Sequence, residues 1–426
     1  MSLTLEPLDN DKTFLLAFAP AFAPVGKANS KASRKFPGAF TILLDPWLQG
    51  STSILHPLFQ QADHTAPVSL TSLAELKPPP DLIIISQDYP DHCNREALTT
   101  LPKDARTKIL ATPSAAKKIK SWKHFDDGIV HLMRPYSPEK EGVITRIKLE
   151  AYTSSSSAGE VTVANVVTKY DLTGLHNAVA ITYRPPGSLL TLVTEAGGGT
   201  VSLKDMHGSP ALTALRGPLV KKASAVTLPG RPITDPREQE VKKNRAKSFT
   251  SADAAPHVDR AKTDAGIPPP LPFSDQSRIT PHISTITRSH KERTLSVVYT
   301  PHGIAPLALR QYLSHHLDIR PYDSGSTRHL DVLLHCFNTE TNPAILGGRV
   351  ANGAPAGVEV VKEARARWWV GCHDEIKELR GWSTKWLRSK RFTVDEVRSL
   401  VKQEAGIEEV VEVRRLETGQ RLRVDG

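Results

Sequence analysis

A four-layer α/β/β/α sandwich, interrupted once by a long polar insertion, is the fold class this sequence predicts. Three observations predict it. Short apolar runs bounded by turn residues read as strands covered on both faces. Segments with helical period alternate with them, and the same alternation occurs on both sides of the insertion, which calls for two strand-rich halves with helices outside. The 426 residues are enough to bury such a core without disulfides.

The first half opens with an apolar stretch, Phe14 to Val25, which Pro20 and Pro24 cut short, and with a loop expected from Ala23 to Pro37. Phe40–Leu44 and Asp81–Ser86 are buried strands, Arg95–Leu101 a short helix, and Lys108–Ala111 a strand leading into a helix over Pro113–Trp122 with Pro at its start. Ile129–Met133, a hairpin region within Thr145–Val167 whose tip is Ser154–Gly159, and strands at Ala178–Tyr183 and Leu189–Thr194 complete it. The second half repeats the pattern with strands at Leu295–Tyr299, Val332–Phe337 and Trp368–Cys372, and helices at Ala305–Leu317 and Val358–Arg367. Between the halves, residues 229–282 carry few large apolar side chains and many charges and prolines. Such a stretch does not bury enough to offset its ordering entropy, so a disordered basic insertion is expected. The resulting division is 1–228, 229–282, 283–390 and a small C-terminal extension over 391–426.

Charge and cysteine content narrow the setting. Cys93, Cys336 and Cys372 are an odd number without CxxC spacing, and Glu6, Asp9 and Asp11 precede any apolar run, so a reducing, cytoplasmic location is expected. No run approaches the roughly 20 apolar residues of a membrane span. The net charge of +10 suits an anionic partner such as nucleic acid, a phosphate ester or an acidic membrane face. Nucleic acid is not the expected partner: the charge sits in local runs such as Lys242 to Lys247, and no stripe of basic residues interleaved with aromatics is read along the chain.

The segment carrying most chemical information is Ile83 to Asn94, IIISQDYPDHCN. A buried strand ends at Ser86, and a polar turn with Asp88, Asp91 and His92 leads into a helix, the kind of strand end on which sites are built. This segment resembles the metallo-β-lactamase superfamily signature, a buried strand followed by H-x-H-x-D-H, in a divergent form. Gln87 and Tyr89 stand where two histidines belong, and Asp91 and His92 where the D-H pair belongs. Leu43–Leu44–Asp45–Pro46–Trp47–Leu48 is similar to the strand end that precedes the signature in the UlaG-like branch. Ala111–Thr112–Pro113, leading into a helix, is similar to the segment on the C-terminal side of the signature in that branch. Thr300–Pro301–His302–Gly303 falls at the family's metal-bridging Asp, with His302 in its place, and Gly371–Cys372–His373–Asp374–Glu375 resembles the terminal histidine motif.

The resemblance implies a metallo-β-lactamase-like sandwich and a hydrolase with half of its two-metal site lost. An amide and a phenol do not replace two imidazoles, because the phenol would have to ionise far below its usual pKa of about 10. The first metal site is therefore expected to be absent, leaving His176, the candidate third ligand, without its ion. Asp91, His92, His302 and His373 remain as ligands for one Zn²⁺ or none, with Asp91 and His302 expected to take part in the chemistry, cleaving an ester, thioester or phosphoester of a small-molecule substrate. A different class stays open: a metal-free member that binds a small ligand or serves as a scaffold. A nucleic-acid-processing member is a third reading, favoured by charge alone. The blander readings are that Asp91 caps the following helix, that His302 is a turn residue and that His373–Asp374 is a hydrogen-bonded pair. Cys93 and Cys372 adjoin candidate ligands but read as buried core thiols. Glu195–Gly199 lacks the Lys-Ser/Thr of a phosphate loop and reads as a turn. His335 reads as a core histidine. Oligomeric state is not legible here.

Overall fold

Fully apolar runs such as Leu82–Ile85, buried at every position, form only where a strand is covered on both faces, and the chain builds two sheets of this kind. The computed structural model describes residues 1–21, 37–140, 142–151, 157–169, 171, 173–187, 192–193, 200–201, 294–319, 328–404 and 411–426. The described part of the unit Leu189–Thr287 is one hairpin pairing Leu192–Val193 with Thr200–Val201. The other unit, Met1–Ser188 with Arg288–Gly426, holds the sandwich. The expected loop at 23–37, the hairpin tip at 154–159, the Glu195–Gly199 turn and the insertion over 229–282 lie wholly or largely outside the described residues.

In the first half, strands run β1 (Ser2–Pro7), β2 (Phe14–Ala19), β3 (Phe40–Leu44), β4 (Thr52–Ile54), β5 (Gln60–Asp63), β6 (Leu82–Ile85), β7 (Lys108–Ala111) and β8 (Val130–Leu132), with helices α1 (Arg95–Leu98) and α2 (Pro113–Ser121). Next come β9 (Thr145–Leu149), β10 (Gly159–Val167), β11 (Asn177–Arg184) and the hairpin strands β12 (Leu192–Val193) and β13 (Thr200–Val201). The second half contains β14 (Leu295–Thr300), α3 (Pro306–Tyr312), β15 (Val332–His335), β16 (Thr339–Thr341), β17 (Arg349–Ala351), α4 (Gly353–Ala364) and β18 (Trp368–Gly371). It ends with β19 (Glu378–Arg380), β20 (Arg388–Lys390), α5 (Val394–Glu404), β21 (Glu412–Arg414) and β22 (Leu422–Asp425).

Two seven-stranded mixed sheets result, β22-β1-β2-β3-β6-β7-β8 and β21-β18-β15-β14-β11-β10-β9. In each, one part is antiparallel and the other parallel, and the parallel strands β3, β6, β14, β15 and β18 carry the polar motifs just beyond their C-terminal ends. One apolar cluster joins the facing sheets through residues such as Leu16, Ile84, Val163, Val297 and Leu334. A second packs α3, α4 and α5 on the outer face of the second sheet, and a third packs α1 and α2 on the outer face of the first. The fold is thus a four-layer α/β/β/α sandwich. No helix among the described residues is long and apolar enough to cross a membrane.

Several elements differ from expectation, each for a local reason. The helix expected over Val358–Arg367 starts earlier, at Gly353, and stops at Ala364, because Arg365 turns left-handed (φ 51) and returns its N–H to the last turn. The helix expected to Leu317 changes at Leu313 into one π turn that Asp318 ends with φ 56. The C-terminal segment lies within the sandwich: β21 pairs with β18 and β22 with β1, so it supplies the edge strand of each sheet.

His335 is a core histidine. It is fully buried, its Nδ1–H donates to the Cys336 carbonyl at 2.7 Å, and Nε2 has no partner. Burial pushes its pKa down to about 4. The unfolded chain then holds a proton that the folded chain refuses between pH about 6.5 and 4, so this contribution to stability is complete above 6.5 and lost as pH falls. Going from pH 7.5 to 5, wild type should lose about 2 kcal/mol more stability than His335→Leu, read by urea unfolding at both pH values. Equal losses would show that the buried ring is already charged.

Candidate metal centre

The site is assembled at strand ends around one carboxylate. Asp45 follows β3 in a left-handed conformation (φ 38), a geometry that Asp tolerates, and is fully buried. Its carboxylate accepts the Ser86 backbone N–H at 2.7 Å, the Ser86 hydroxyl, the Tyr299 hydroxyl at 2.8 Å and His92 Nδ1 at 2.7 Å. Since a carboxylate only accepts, His92 Nδ1 carries a hydrogen, and in the neutral ring Nε2 presents a lone pair.

The same logic applies to two further rings. His302, on the turn after β14, places Nδ1 on the Val350 carbonyl at 3.1 Å. His373, beyond β18 with φ 59, places Nδ1 on the Asp11 carboxylate at 3.0 Å. His302 therefore turns a lone pair outward from Nε2, whereas His373 Nδ1 meets both the Asp11 carboxylate and, at 3.2 Å, the Lys377 ammonium. His92 Nε2 and His302 Nε2 stand 3.0 Å apart, and the three rings offer ligand atoms all within 4.8 Å of one another. Burial, then the neighbouring histidines, holds the His302 pKa well below the ordinary value, and burial with Lys377 and Lys12 opposing Asp11 takes His373 down to about 3. His302 and His373 are neutral at physiological pH. The turn at His302 depends on Gly303 (φ 81), where a Cβ would stand 2.9 Å from His335 Nε2.

The fourth expected ligand does not join them. Asp91 Oδ2 lies 3.6 Å from His92 Nε2 but is bound to the Lys12 ammonium at 3.0 Å, and it falls outside the converging group. It does not cap α1 either, because Asn94 accepts the Ala97 N–H there. Lys12 sits on the turn between β1 and β2, which Asp9 shapes by accepting the N–H groups of Asp11 and Thr13. Fully buried, its ammonium touches Asp11 Oδ2 at 2.5 Å and lies 5.0 Å from the centre of the Trp47 ring. Lys377 meets the same Asp11 oxygen at 2.8 Å. Burial works against ionisation of both carboxyls, yet Lys12, Lys377 and the histidines hold Asp11 and Asp91 well below the usual range and Asp11 and Asp91 push Lys12 up.

Gln87 and Tyr89 are both engaged by the segment before β11. Gln87 Nε2 donates to the Leu175 carbonyl at 2.7 Å and to Asn177 Oδ1 at 3.1 Å, and the Tyr89 hydroxyl donates to the Thr173 carbonyl at 2.9 Å. Burial, then Asp88, pushes the Tyr89 phenol up, away from ionisation. His176, the expected orphan ligand, has its ring nitrogens facing the Gly303 and Arg349 carbonyls, each at 3.1 Å, and lies outside the converging group. Asp374 turns away from His373 and accepts the N–H groups of Phe337 and Asn338, and burial pushes its carboxyl up to about 7. Cys93 and Cys372 are buried, with burial pushing the Cys93 thiol up to about 12 and the Cys372 thiol well above its ordinary range, so neither is an accessible thiolate.

A cleft of about 610 Å³ opens over the triad, with Asp91, His302, His373, Glu340 and Lys377 on its wall. Sequence reading missed Asp9, Asp11, Lys12, Lys377 and Glu340. Their only sequence signal is the D-N-D-K turn between two strands, which is also an ordinary hairpin pattern.

The sequence matches no protein-family model and no curated protein. Among solved structures, it is similar to a metallo hydrolase from the hyperthermophilic archaeon Ignicoccus hospitalis, with 13% identity over 100% of both chains and a TM-score of 0.39. It is also similar to an isothiocyanate hydrolase from Delia radicum gut bacteria, with 10% identity over 100% of both chains and a TM-score of 0.44. A metallo-β-lactamase fold protein from Bacillus subtilis gives 9% identity over 99% of each chain and a TM-score of 0.37.

Asp45→Asn keeps the shape but loses the charge and part of the acceptor capacity of a residue serving four donors. It should lower stability by about 3 kcal/mol in urea unfolding, against about 1 kcal/mol for Tyr299→Phe. The double variant should cost less than the sum, since both remove one shared bond.

Proposed function

We propose that this chain is a hydrolase of the metallo-β-lactamase superfamily that works with one divalent ion, zinc by its donor chemistry, held by His92, His302 and His373. The observation that carries this reading is the orientation of the three rings. Every Nδ1 meets an acceptor, two carboxylates and one carbonyl, which is how proteins aim histidine ligands at a metal, and at His373 the Lys377 ammonium shares that nitrogen at 3.2 Å. Two Nε2 lone pairs facing each other at 3.0 Å repel unless a cation lies beside both. Three imidazole nitrogens leave a further position open, as catalytic zinc sites do. An ion held there supplies a Lewis acid for an ester, thioester or phosphoester and an acidified water.

The chain's own groups divide the remaining work. Asp91, held ionised by Lys12, is a weak base but a strong acceptor, suited to orient an attacking water by hydrogen bonding. Glu340 lines the same cleft, where a carboxyl is suited to exchange a proton with a leaving group, and burial shifts its pKa upward, toward that role. Lys12 and Lys377 balance the buried carboxylates, taking up the positive charge that a second ion would bring.

A metal-free reading has one observation in its favour. The 3.0 Å separation also fits an N–H···N bond, with His92 as an imidazolium between Asp45 and His302. That arrangement belongs to the binding-module alternative.

Metal analysis after purification without added metal separates the two. One equivalent of zinc per chain, lost in His92→Ala, His302→Ala and His373→Ala, is expected; no metal even after reconstitution would refute the site. Asp91→Asn and Glu340→Gln should keep the ion while lowering kcat on an active ester about 10²- to 10⁴-fold. Loss of metal in Asp91→Asn would instead return Asp91 to the ligand set.

A further inference from the structure

Large apolar side chains are exposed at nine places among the described residues, and six of them belong to the rim of the cleft. Leu55, Ile345 and Ile376 line the cleft and are 89%, 92% and 52% exposed. Leu58, 73% exposed, is joined through its carbonyl to the Trp382 N–H at 3.0 Å. Trp382 meets Phe59 edge-on at 4.8 Å and Trp386 at 5.3 Å, and both tryptophans are nearly half exposed. The scaffold beneath them is continuous. One small sheet joins β19, β5 and β4, another joins β17, β16 and β20, and the 3-10 turn Trp382–Trp386 links β19 directly to β20.

On β19 and β5 the acidic Glu378 and Asp63 are paired with Arg380, and the segment that follows carries charge of one sign. From Trp382 to Arg391 the sequence reads WSTKWLRSKR, with Lys385, Arg388, Lys390 and Arg391 exposed and no acidic residue. Lys385, Arg388 and Arg391 form no ion pair with any described residue. Aromatic and basic residues are interleaved here, in contrast to the reading that no such stripe exists in the chain.

We propose that the cleft rim is a docking surface for an anionic phospholipid bilayer. Tryptophans prefer the headgroup boundary, where an apolar ring and a polar N–H are both satisfied. Protruding leucines and isoleucines enter the acyl boundary, and each cation near an anionic leaflet strengthens attachment about fivefold. Single-stranded nucleic acid would also attract the cations and stack on tryptophan. Four of the six exposed apolar residues are aliphatic, however, and offer a base no π face. They do fit hydrocarbon. Because the cleft opens through this same rim, docking places its mouth at the lipid surface, where an amphiphile can pass into it without crossing bulk water. Nothing in this surface depends on the metal.

The test uses the full-length protein with vesicles of phosphatidylcholine alone or mixed with phosphatidylglycerol, read by co-sedimentation and by a blue shift of tryptophan emission. Partition onto the mixed vesicles that falls steeply with added salt is expected, with little onto phosphatidylcholine alone. Trp382→Ser/Trp386→Ser and Leu55→Ser/Ile345→Ser, on separate loops, should each reduce partition at least tenfold, while Leu307→Ser, an exposed leucine on α3 outside the rim, should leave it unchanged. Thermal unfolding of each variant shows whether it is folded, and the two independent pairs keep the test decisive if one is not. The proposal is overturned if mixed vesicles do not bind, if both folded rim variants bind like wild type, or if poly(U) binds at least as tightly as the mixed vesicles and displaces them.

Discussion

The buried carboxylate of Asp45 is the constraint on which the rest of the site depends. An ionised group taken wholly out of water is tolerable only with its lone pairs filled. Four donors fill them, two from Ser86 just beyond β6, one from the turn that follows, and one from β14 of the opposite sheet. The same electrostatic demand that locks the two sheets together thereby sets the His92 tautomer, and with it the direction of a lone pair. Fold stability and site geometry are consequently not separable at this position.

A second buried network repeats the principle with opposite signs in balance. Asp11 and Asp91 face the ammonium groups of Lys12 and Lys377, and Asp11 in turn orients His373. Removing one member would leave uncompensated charge in the interior, which is far more costly than the pair is stabilising. The network thus links the first hairpin of the chain to its last strand-end motif. At Gln87 and Tyr89, hydrogen bonds to the Thr173–Asn177 segment tie the end of β6 to the loop before β11. These bonds connect the two sheets.

Site and rim have different physical characters. The triad is buried and rigid, held by bonds to backbone and carboxylates. The rim is built from two three-stranded sheets and short 3-10 turns outside the main core, and it leaves apolar groups in water. An interior organised around filled polar valences and an outer wall with unfilled apolar surface fit a division between a chemical centre and the surface that brings material to it.

Much of the architecture was legible from the chain alone. Apolar runs at Phe40–Leu44, Asp81–Ser86, Leu295–Tyr299 and Val332–Phe337 marked strands, and Pro113 marked a helix start, because burial on both faces and the missing N–H of proline act locally. Motif order also placed Asp91, His92, His302 and His373 at strand ends. Composition did not reveal that β21 and β22 complete the two sheets, since edge pairing of short strands is decided by partners far away in the chain. Nor did it reveal that Lys12 draws Asp91 away from the three histidines, or that Asp45 and Asp11 aim them. The sequence by itself determined which residue types stand at the strand ends; only the tertiary structure decided which of them share a point, because ring orientation depends on acceptors contributed by segments tens to hundreds of residues away.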